Sequence, residues 1–155
     1  MRGILFAVIF FTVACSSPRE TKRSTLNVDE AIKSGSFTFF ADMVYPLSMR
    51  SHPIAPPATL ILKADSLAAS LPYFGKAHSF DPNAAGGITF TTRDFQRSAV
   101  KDSNGDWTVT ITPKDEVSAN EIVLTVFENG KAMATITSLR RDRIQFRGYI
   151  QPMLN

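Results

Sequence analysis

Runs of alternating apolar and polar residues, separated by turn residues, restrict the fold of this chain more than any other feature. Trp107, Val109 and Ile111 alternate with threonines, which is the two-residue period of a strand with one buried face. The segment 143–150 alternates in the same way, and other strand-like runs lie at 37–42, 59–63 and 88–92. We therefore expect about seven short strands in one antiparallel, all-β domain, either a sandwich or a barrel.

Turn residues predict where consecutive strands reverse. Asn129-Gly130 stands between two β-rich runs, which is typical of a two-residue type I′ turn and would place Val126 opposite Met133. A second Asn-Gly pair, at 104–105, is expected to turn the chain into the strand that begins with tryptophan. The proline-rich segment 53–57 is expected to be a loop.

A short helix is expected to precede the first strand. Asn27 can cap its N terminus, Glu30 stands three residues later as in a capping box, and Gly35 can end it. The apolar residues at 28, 31 and 32 would form its buried face. A helix of this length depends on packing for its stability.

The first fifteen residues predict where the protein works. Arg2 gives a positive start, residues 4–14 are almost entirely apolar, and Cys15, the only cysteine, follows directly. The apolar run is shorter than the ~20 residues that span a bilayer, so residues 1–14 are predicted to be a signal peptide. Cleavage before Cys15, with diacylglycerol and palmitate attached to it, is typical of a lipoprotein. Thr12 stands where such signals usually have leucine, and the alternative is an ordinary secretory signal.

The rest of the chain divides into a tether and a domain. Residues 15–26 lack an apolar pattern and are expected to be flexible, whereas 27–155, about 130 residues, is the usual size of one domain. The acylated Cys15 would anchor it in the bacterial cell envelope, on the outer membrane facing the periplasm. The 17 basic residues stand against 14 acidic ones. This near balance gives no strong field for nucleic acid, so no nucleic-acid partner is expected.

Residues that bind metals or catalyse reactions are not grouped in the sequence. His52 and His78 lie in different segments, without a cysteine or a further histidine at ligand spacing. Asp102, Asn104 and Asp106 resemble the start of a calcium loop, but position 113, where its bidentate Glu would stand, is a proline. Asp and Asn beside glycine are ordinary turn formers. We therefore expect no metal, no cofactor and no enzyme activity.

An aromatic pair and an arginine cluster remain as candidate binding residues. Tyr73 and Phe74 stand between a proline and a glycine, so they either form a rigid lip on a ligand pocket or plug one end of the domain. The four arginines either meet anionic lipid head groups or form a solvated strand face that blocks edge pairing. They are Arg140, Arg141, Arg143 and Arg147.

Segments at 31–39, 71–77, 86–90, 129–132 and 144–150 together resemble one family of bacterial proteins. The most specific of them is Leu71-Pro72-Tyr73-Phe74-Gly75. The family is the domain of unknown function numbered 4251, found in predicted lipoproteins of gut-type Gram-negative bacteria, and the resemblance covers roughly residues 28–152. It implies an all-β envelope domain. It implies no activity, and no catalytic residue is carried over from it.

Two functions are compatible with these features. The first is a non-catalytic lipoprotein whose β-domain binds a small molecule, a lipid or a peptide, because twelve phenylalanines could line a cavity. They could equally fill an ordinary core. The second is a structural module that docks on another envelope protein through one sheet face or edge.

Overall fold

The computed structural model describes residues 28–78, 86–114 and 118–153. The predicted signal peptide, the tether, Cys15 and Asn27 lie outside these residues. A helix, α1, spans 28–34, and no described helix is long and apolar enough to cross a membrane. The strands are β1 (Phe37–Pro46), β2 (His52–Lys63), β3 (Ser66–Pro72), β4 (Gly87–Thr92), β5 (Phe95–Lys101), β6 (Trp107–Pro113), β7 (Glu121–Val126), β8 (Lys131–Thr137) and β9 (Ile144–Pro152).

These nine strands form one antiparallel sheet in the order β4-β3-β2-β1-β9-β8-β7-β6-β5. Because all eight neighbouring pairs in this order are antiparallel, the two edge strands β4 and β5 run in the same direction. Only Arg93 and Asp94 separate them, so they are two halves of one bent strand. The first half pairs with β3 and the second with β6. If β4 and β5 are counted as one bent strand, the sheet has an even number of strands, which a closed antiparallel sheet requires.

The sheet therefore curls into a nearly closed barrel, which confirms the predicted all-β, barrel-like domain with a short N-terminal helix. The structure has nine strands rather than about seven, because the sequence patterns did not indicate β3 and β5. β3 is built largely from leucine, alanine and serine, and β5 carries polar or charged side chains at most positions. Both are strands because a neighbouring strand pairs with each of them along its length.

The predicted proline-rich loop at 53–57 lies within β2 instead. Ala41 pairs with Ala58 and Met43 with Pro53, so one residue of β1 faces the four residues 54–57 of β2. These four residues therefore interrupt the regular pairing of β1 with β2. Proline cannot donate a backbone hydrogen bond and is tolerated at such an irregularity.

Apolar side chains from alternate positions fill the barrel. Phe37, Phe39 and Phe146 are the largest fully buried side chains, each with 0% exposure. Core residues on the neighbouring strands are also 0% exposed. A cavity large enough to hold water beside any of these side chains would give that side chain some exposed surface. The space around these residues is therefore packed. They are Leu60, Leu62, Leu67, Val109, Ile111, Ile122 and Leu124.

Helix α1 packs on the barrel and is held at both ends by β5 and β6. Gly35, at φ +70°, ends it as predicted, and its N–H bonds to the carbonyl of Ile32 at 3.2 Å. Arg97 donates to the Ile32 carbonyl oxygen at 2.8 Å. At the other end Asp29 accepts from Lys101 at 2.7 Å and from the Trp107 indole at 2.7 Å. The end of the barrel at which α1 begins is called the helix end below.

The hairpin between β7 and β8 differs from its prediction by one residue. Val126 pairs with Ala132, and the N–H of Phe127 bonds to the Lys131 carbonyl at 2.9 Å. Three residues, ending at Gly130 with φ +79°, form the loop. This is the pattern of a type I turn followed by a left-handed residue. The two-residue turn and its register are thus wrong, although the hairpin itself is confirmed.

Candidate functional site

Three loops lie together opposite the helix end, at what we call the loop end. They are 47–51 between β1 and β2, the described residues 73–78 that follow β3, and 138–143 between β8 and β9. Pro46 pairs with Ile144 and Ile136 also pairs with Ile144, so the first and third loops flank the start of β9. Both groups of candidate residues from the sequence lie at or near this end.

Tyr73 is held by its own loop and by the loop before β9. Its hydroxyl lies 2.9 Å from the carbonyl oxygen of Lys76 and 3.2 Å from that of Asp142, and donates to them. The Arg141 guanidinium lies over the ring, 5.0 Å from its centroid. Burial raises the pKa of the Tyr73 hydroxyl above its usual range, and the negative charge of Asp142 acts in the same direction. The hydroxyl of Tyr73 is thus already hydrogen-bonded within the protein.

Phe74 lies beside Tyr73 and is also half-buried. Both side chains pack against the hydrophobic core. The edge of the Phe74 ring meets His52 at a centroid distance of 4.4 Å, which joins the loop after β3 to the start of β2. The aromatic pair therefore packs across one end of the barrel.

Backbone pairing ties the loop after β3 to the loop before β9. Ala77 and Arg141 form an isolated antiparallel bridge, and the N–H of His78 bonds to the Arg140 carbonyl at 2.7 Å. The His78 ring lies 2.9 Å from the Asp142 carboxylate. These contacts hold the two loops against each other over the end of the core.

The structure separates the four arginines that the sequence groups together. Arg141 donates to the Gly87 carbonyl at 2.8 Å and is turned toward Tyr73. Arg147 lies on β9, where it pairs with Asp42 of β1 at 3.3 Å. Only the other two, at 140 and 143, stay exposed at the loop end without an ion pair to a described residue. The sequence could not show this division, because Arg147 and Asp42 are 105 residues apart.

A groove on the outer face of β5 and β6 was missed by the sequence analysis. It encloses about 400 Å³ and is open to solvent. The paired strands place Gln96 opposite Thr112 and Ser98 opposite Thr110. The lining residues carry hydroxyl, amide and guanidinium groups, although carbon atoms make up more of the groove surface than polar atoms do. The residues that line it are Gln96, Arg97, Ser98, Thr110 and Thr112.

Strand β5 also has an unpaired edge. Asp94 accepts from Lys114, and Asp102 donates to Asp106, so even-numbered residues of β5 bond to β6. Odd-numbered residues direct their N–H and C=O groups to the opposite side, where no described strand pairs with them. These residues are Phe95, Arg97, Ala99 and Lys101.

Within the described ranges, no three His, Cys, Asp or Glu side chains are grouped closely enough to hold a metal ion. Asp102, the first residue of the calcium-like segment, accepts from the backbone N–H groups of Asn104 and Asp106 at 2.8 and 3.0 Å. Its carboxylate thereby stabilises the turn around Gly105, as the sequence predicts for ordinary turn formers.

The barrel is similar to that of a solved protein. The crystal structure of a DUF4251 family protein from Bacteroides eggerthii DSM 20697 matches with a TM-score of 0.62 and 13% identity, covering 86% of this chain and 92% of that chain. This likeness shows the fold alone. No curated protein sequence matches the chain at a significant level. The model of one family, described as a domain of unknown function, matches residues 19–150. The chain therefore belongs to the DUF4251 family.

Proposed function

We propose that this chain is a non-catalytic, lipid-anchored domain of the bacterial cell envelope that docks on another envelope protein. The observation that carries the proposal is the packed interior. Phe39, Phe146 and the residues around them leave no space beside them for a ligand. Among the described residues, these core side chains offer no enclosed site, which favours docking at the outer surface over enclosure of an apolar small molecule. The anchor is the predicted acylation of Cys15.

The free edge of β5 suggests how a partner would bind. An extended segment can add to an open sheet edge through main-chain hydrogen bonds. Charged side chains on an edge strand usually prevent another strand from pairing with it. Here Arg97 donates to carbonyls of α1 and Lys101 pairs with Asp29, so both exposed charges are bonded to the helix. These charges therefore hinder strand pairing at the edge less than the sequence of β5 indicates.

Proline at position 99 tests this docking mode. The N–H of Ala99 faces away from β6, so Ala99→Pro removes a donor from the free edge and leaves the ladder with β6 intact. Ala99→Gly is the matched control, because glycine keeps the donor. A photo-crosslinking residue at Val100, which is exposed, would report partner contact in cells for each variant.

We expect one discrete protein adduct in the parent and in the Ala99→Gly chain, and its loss in Ala99→Pro at unchanged secondary structure. An adduct that persists in Ala99→Pro, or the absence of any adduct, would contradict docking at this edge. Hydrogen exchange on the purified chain adds a second check. Protection of the Arg97 and Ala99 amides without a partner would mean that the edge is already covered.

A small polar ligand is the second candidate, and the groove beside β5 favours it. Its hydroxyl, amide and guanidinium groups could bind a polyol or another hydrogen-bonding molecule. Native mass spectrometry of residues 15–155 carrying Cys15→Ser, purified without detergent, separates the two functions. We expect the unmodified mass. A reproducible added mass that disappears in Thr110→Val would support the ligand instead.

A further inference from the structure

The loop end exposes three large apolar side chains that the sequence analysis did not select. Leu139 is 86% exposed, Leu47 65% and Met49 52%. They belong to the loops on either side of the start of β9. Adjacent strands lie about 4.8 Å apart, so the roots of these loops are separated by about 10 Å. The three side chains can therefore meet one surface together.

Basic side chains lie on the same two loops and on the loop after β3. Arg50, Lys76, Arg140 and Arg143 are exposed, and none forms an ion pair with a described residue. Three acidic residues are described on this side: Asp142 is paired with His78, Asp94 is paired with Lys114, and Glu121 begins β7. Asp81, Asp115 and Glu116 belong to the segments 79–85 and 115–117, which the structure does not describe.

The helix end differs in charge. Charges of both signs are present there: Arg97 donates to the Ile32 carbonyl oxygen of α1, and Lys101 is paired with Asp29. In the part of the chain that the structure describes, the loop end is basic and apolar, and the helix end carries charges of both signs. The acidic residues at the helix end are Asp29, Glu30, Asp65, Asp102, Asp106 and Glu128, and the lysines are Lys33, Lys63, Lys101 and Lys131.

We propose that the loop end binds the surface of an anionic membrane, with Leu47, Met49 and Leu139 entering the lipid interface. Exposed apolar and basic side chains on neighbouring loops have the chemistry of an interfacial contact, because the apolar groups bury among acyl chains while arginine and lysine meet lipid phosphates. The tips stand on separate loops rather than lining one groove, which fits a fluid surface better than a shaped protein. This contact is independent of the anchor at Cys15 and of the β5 edge.

Vesicle flotation tests the contact without the anchor. The sample is the chain 15–155 with Cys15→Ser, mixed with vesicles of phosphatidylglycerol and phosphatidylethanolamine, or of phosphatidylcholine alone. We expect binding to the anionic vesicles only. A rise in salt from 0.1 to 0.5 M should weaken it at least tenfold, because ions screen exposed charges.

Two double variants separate the apolar and the basic contributions. Leu47→Ser with Leu139→Ser, and Arg140→Gln with Arg143→Gln, should each reduce binding at least tenfold while circular dichroism stays unchanged. Val100→Ser is the matched control, since Val100 is 65% exposed at the helix end and should bind like the parent.

Absence of binding to anionic vesicles would overturn the proposal and leave an acidic protein as the partner of this end. Equal binding to both kinds of vesicle, or an equal loss in the Val100→Ser control, would overturn it as well. None of these results bears on the crosslinking test at Ala99. The two proposals can therefore fail separately.

Discussion

The Asp29 carboxylate accepts a hydrogen bond from the Trp107 indole at 2.7 Å, across 78 residues of sequence. Lys101 donates to the same carboxylate at 2.7 Å, and its ammonium lies 5.6 Å from the centroid of the Trp107 ring. One acidic side chain of the helix thereby joins the end of β5 to the start of β6. The contact fixes α1 on the barrel, where its apolar face completes the core.

Stability should depend on the ionisation of Asp29. The Lys101 hydrogen bond, and then that of Trp107, lower the pKa of this carboxyl below its usual value of 3.8. A carboxyl with a lowered pKa stabilises the fold above its unfolded value, and this contribution is lost as the pH falls through the folded value. Asp29→Asn should cost about 1–2 kcal/mol at pH 7, discounted for partial exposure.

The measurement is urea unfolding of the parent and of Asp29→Asn between pH 2 and 7. We expect the difference between them to shrink as the pH falls below 4. Glu30→Gln is a suitable control, because Glu30 is exposed and has no described ion pair. A constant difference at every pH would mean that the charge of Asp29 contributes nothing.

Gly148 is required by the close approach of β9 to β1. A Cβ at this position would collide with the carbonyl oxygen of Phe40 and lie 2.8 Å from its carbonyl carbon. Both obstacles are backbone atoms, next to the irregularity between Ala41 and Met43, so the neighbouring strand would have to move. Gly148→Ala should therefore lower the free energy of unfolding by about 2–3 kcal/mol.

Gly86 is the matched control for this substitution, since a Cβ there would meet no atom within 4 Å. Gly86→Ala should change stability by less than about 0.5 kcal/mol. Thermal and urea unfolding of both variants give the comparison. Equal effects of the two substitutions would show that the contact between β9 and Phe40 can relax.

Tyr73 should contribute to stability through its hydroxyl. Tyr73→Phe removes the donor to the Lys76 and Asp142 carbonyls and should cost about 1 kcal/mol at neutral pH. Because its pKa is raised in the folded state, the protonated hydroxyl stabilises the fold below pH 10, and this contribution is lost as the pH rises through the folded value.

The stability of the parent should therefore decline above pH 10 more steeply than that of Tyr73→Phe, as measured by urea unfolding from pH 8 to 11.5. Tyr149 is a useful comparison, because it is 43% exposed and stacks on Phe40. Tyr149→Phe should follow the parent curve. Parallel curves for all three proteins would contradict a buried, hydrogen-bonded Tyr73.

Phe74→Ala distinguishes an aromatic pair that closes one end of the barrel from one that borders a ligand pocket. Phe74 packs against the core and against His52, so its removal should cost about 2 kcal/mol, less than for a fully buried phenylalanine. Calorimetric melting of the variant measures this cost. An unchanged melting temperature would favour a ligand-contacting role for the aromatic pair, which stays a prediction.

Acylation of Cys15 is checked directly in cells. The parent should incorporate labelled palmitate, and Cys15→Ser should lose the label while Ser16→Ala keeps it. The physical reason is that only the thiol of Cys15 can form the thioether to diacylglycerol. Label in Cys15→Ser would refute the lipoprotein prediction.

Local sequence patterns are sufficient for the elements whose neighbours are close along the chain. The alternation in β6 and β9, the helix that ends at Gly35 and the turn at Gly105 follow from backbone preference and from burial of one strand face. The all-β class follows in turn, because such strands can bury their apolar face only against one another. Even here a one-residue error entered at Gly130, since Asn-Gly also suits a three-residue loop.

Tertiary structure decided what depends on partners far apart in sequence. β5 is a strand because β6 pairs with it, and it follows β4 after two residues, with β3 as the partner of β4. The arginine cluster was divided in the same way, with Arg147 paired to Asp42 and Arg141 turned onto Tyr73. Coulombic and hydrogen-bond energies depend on distance in space, and only the closed barrel brings these groups within reach.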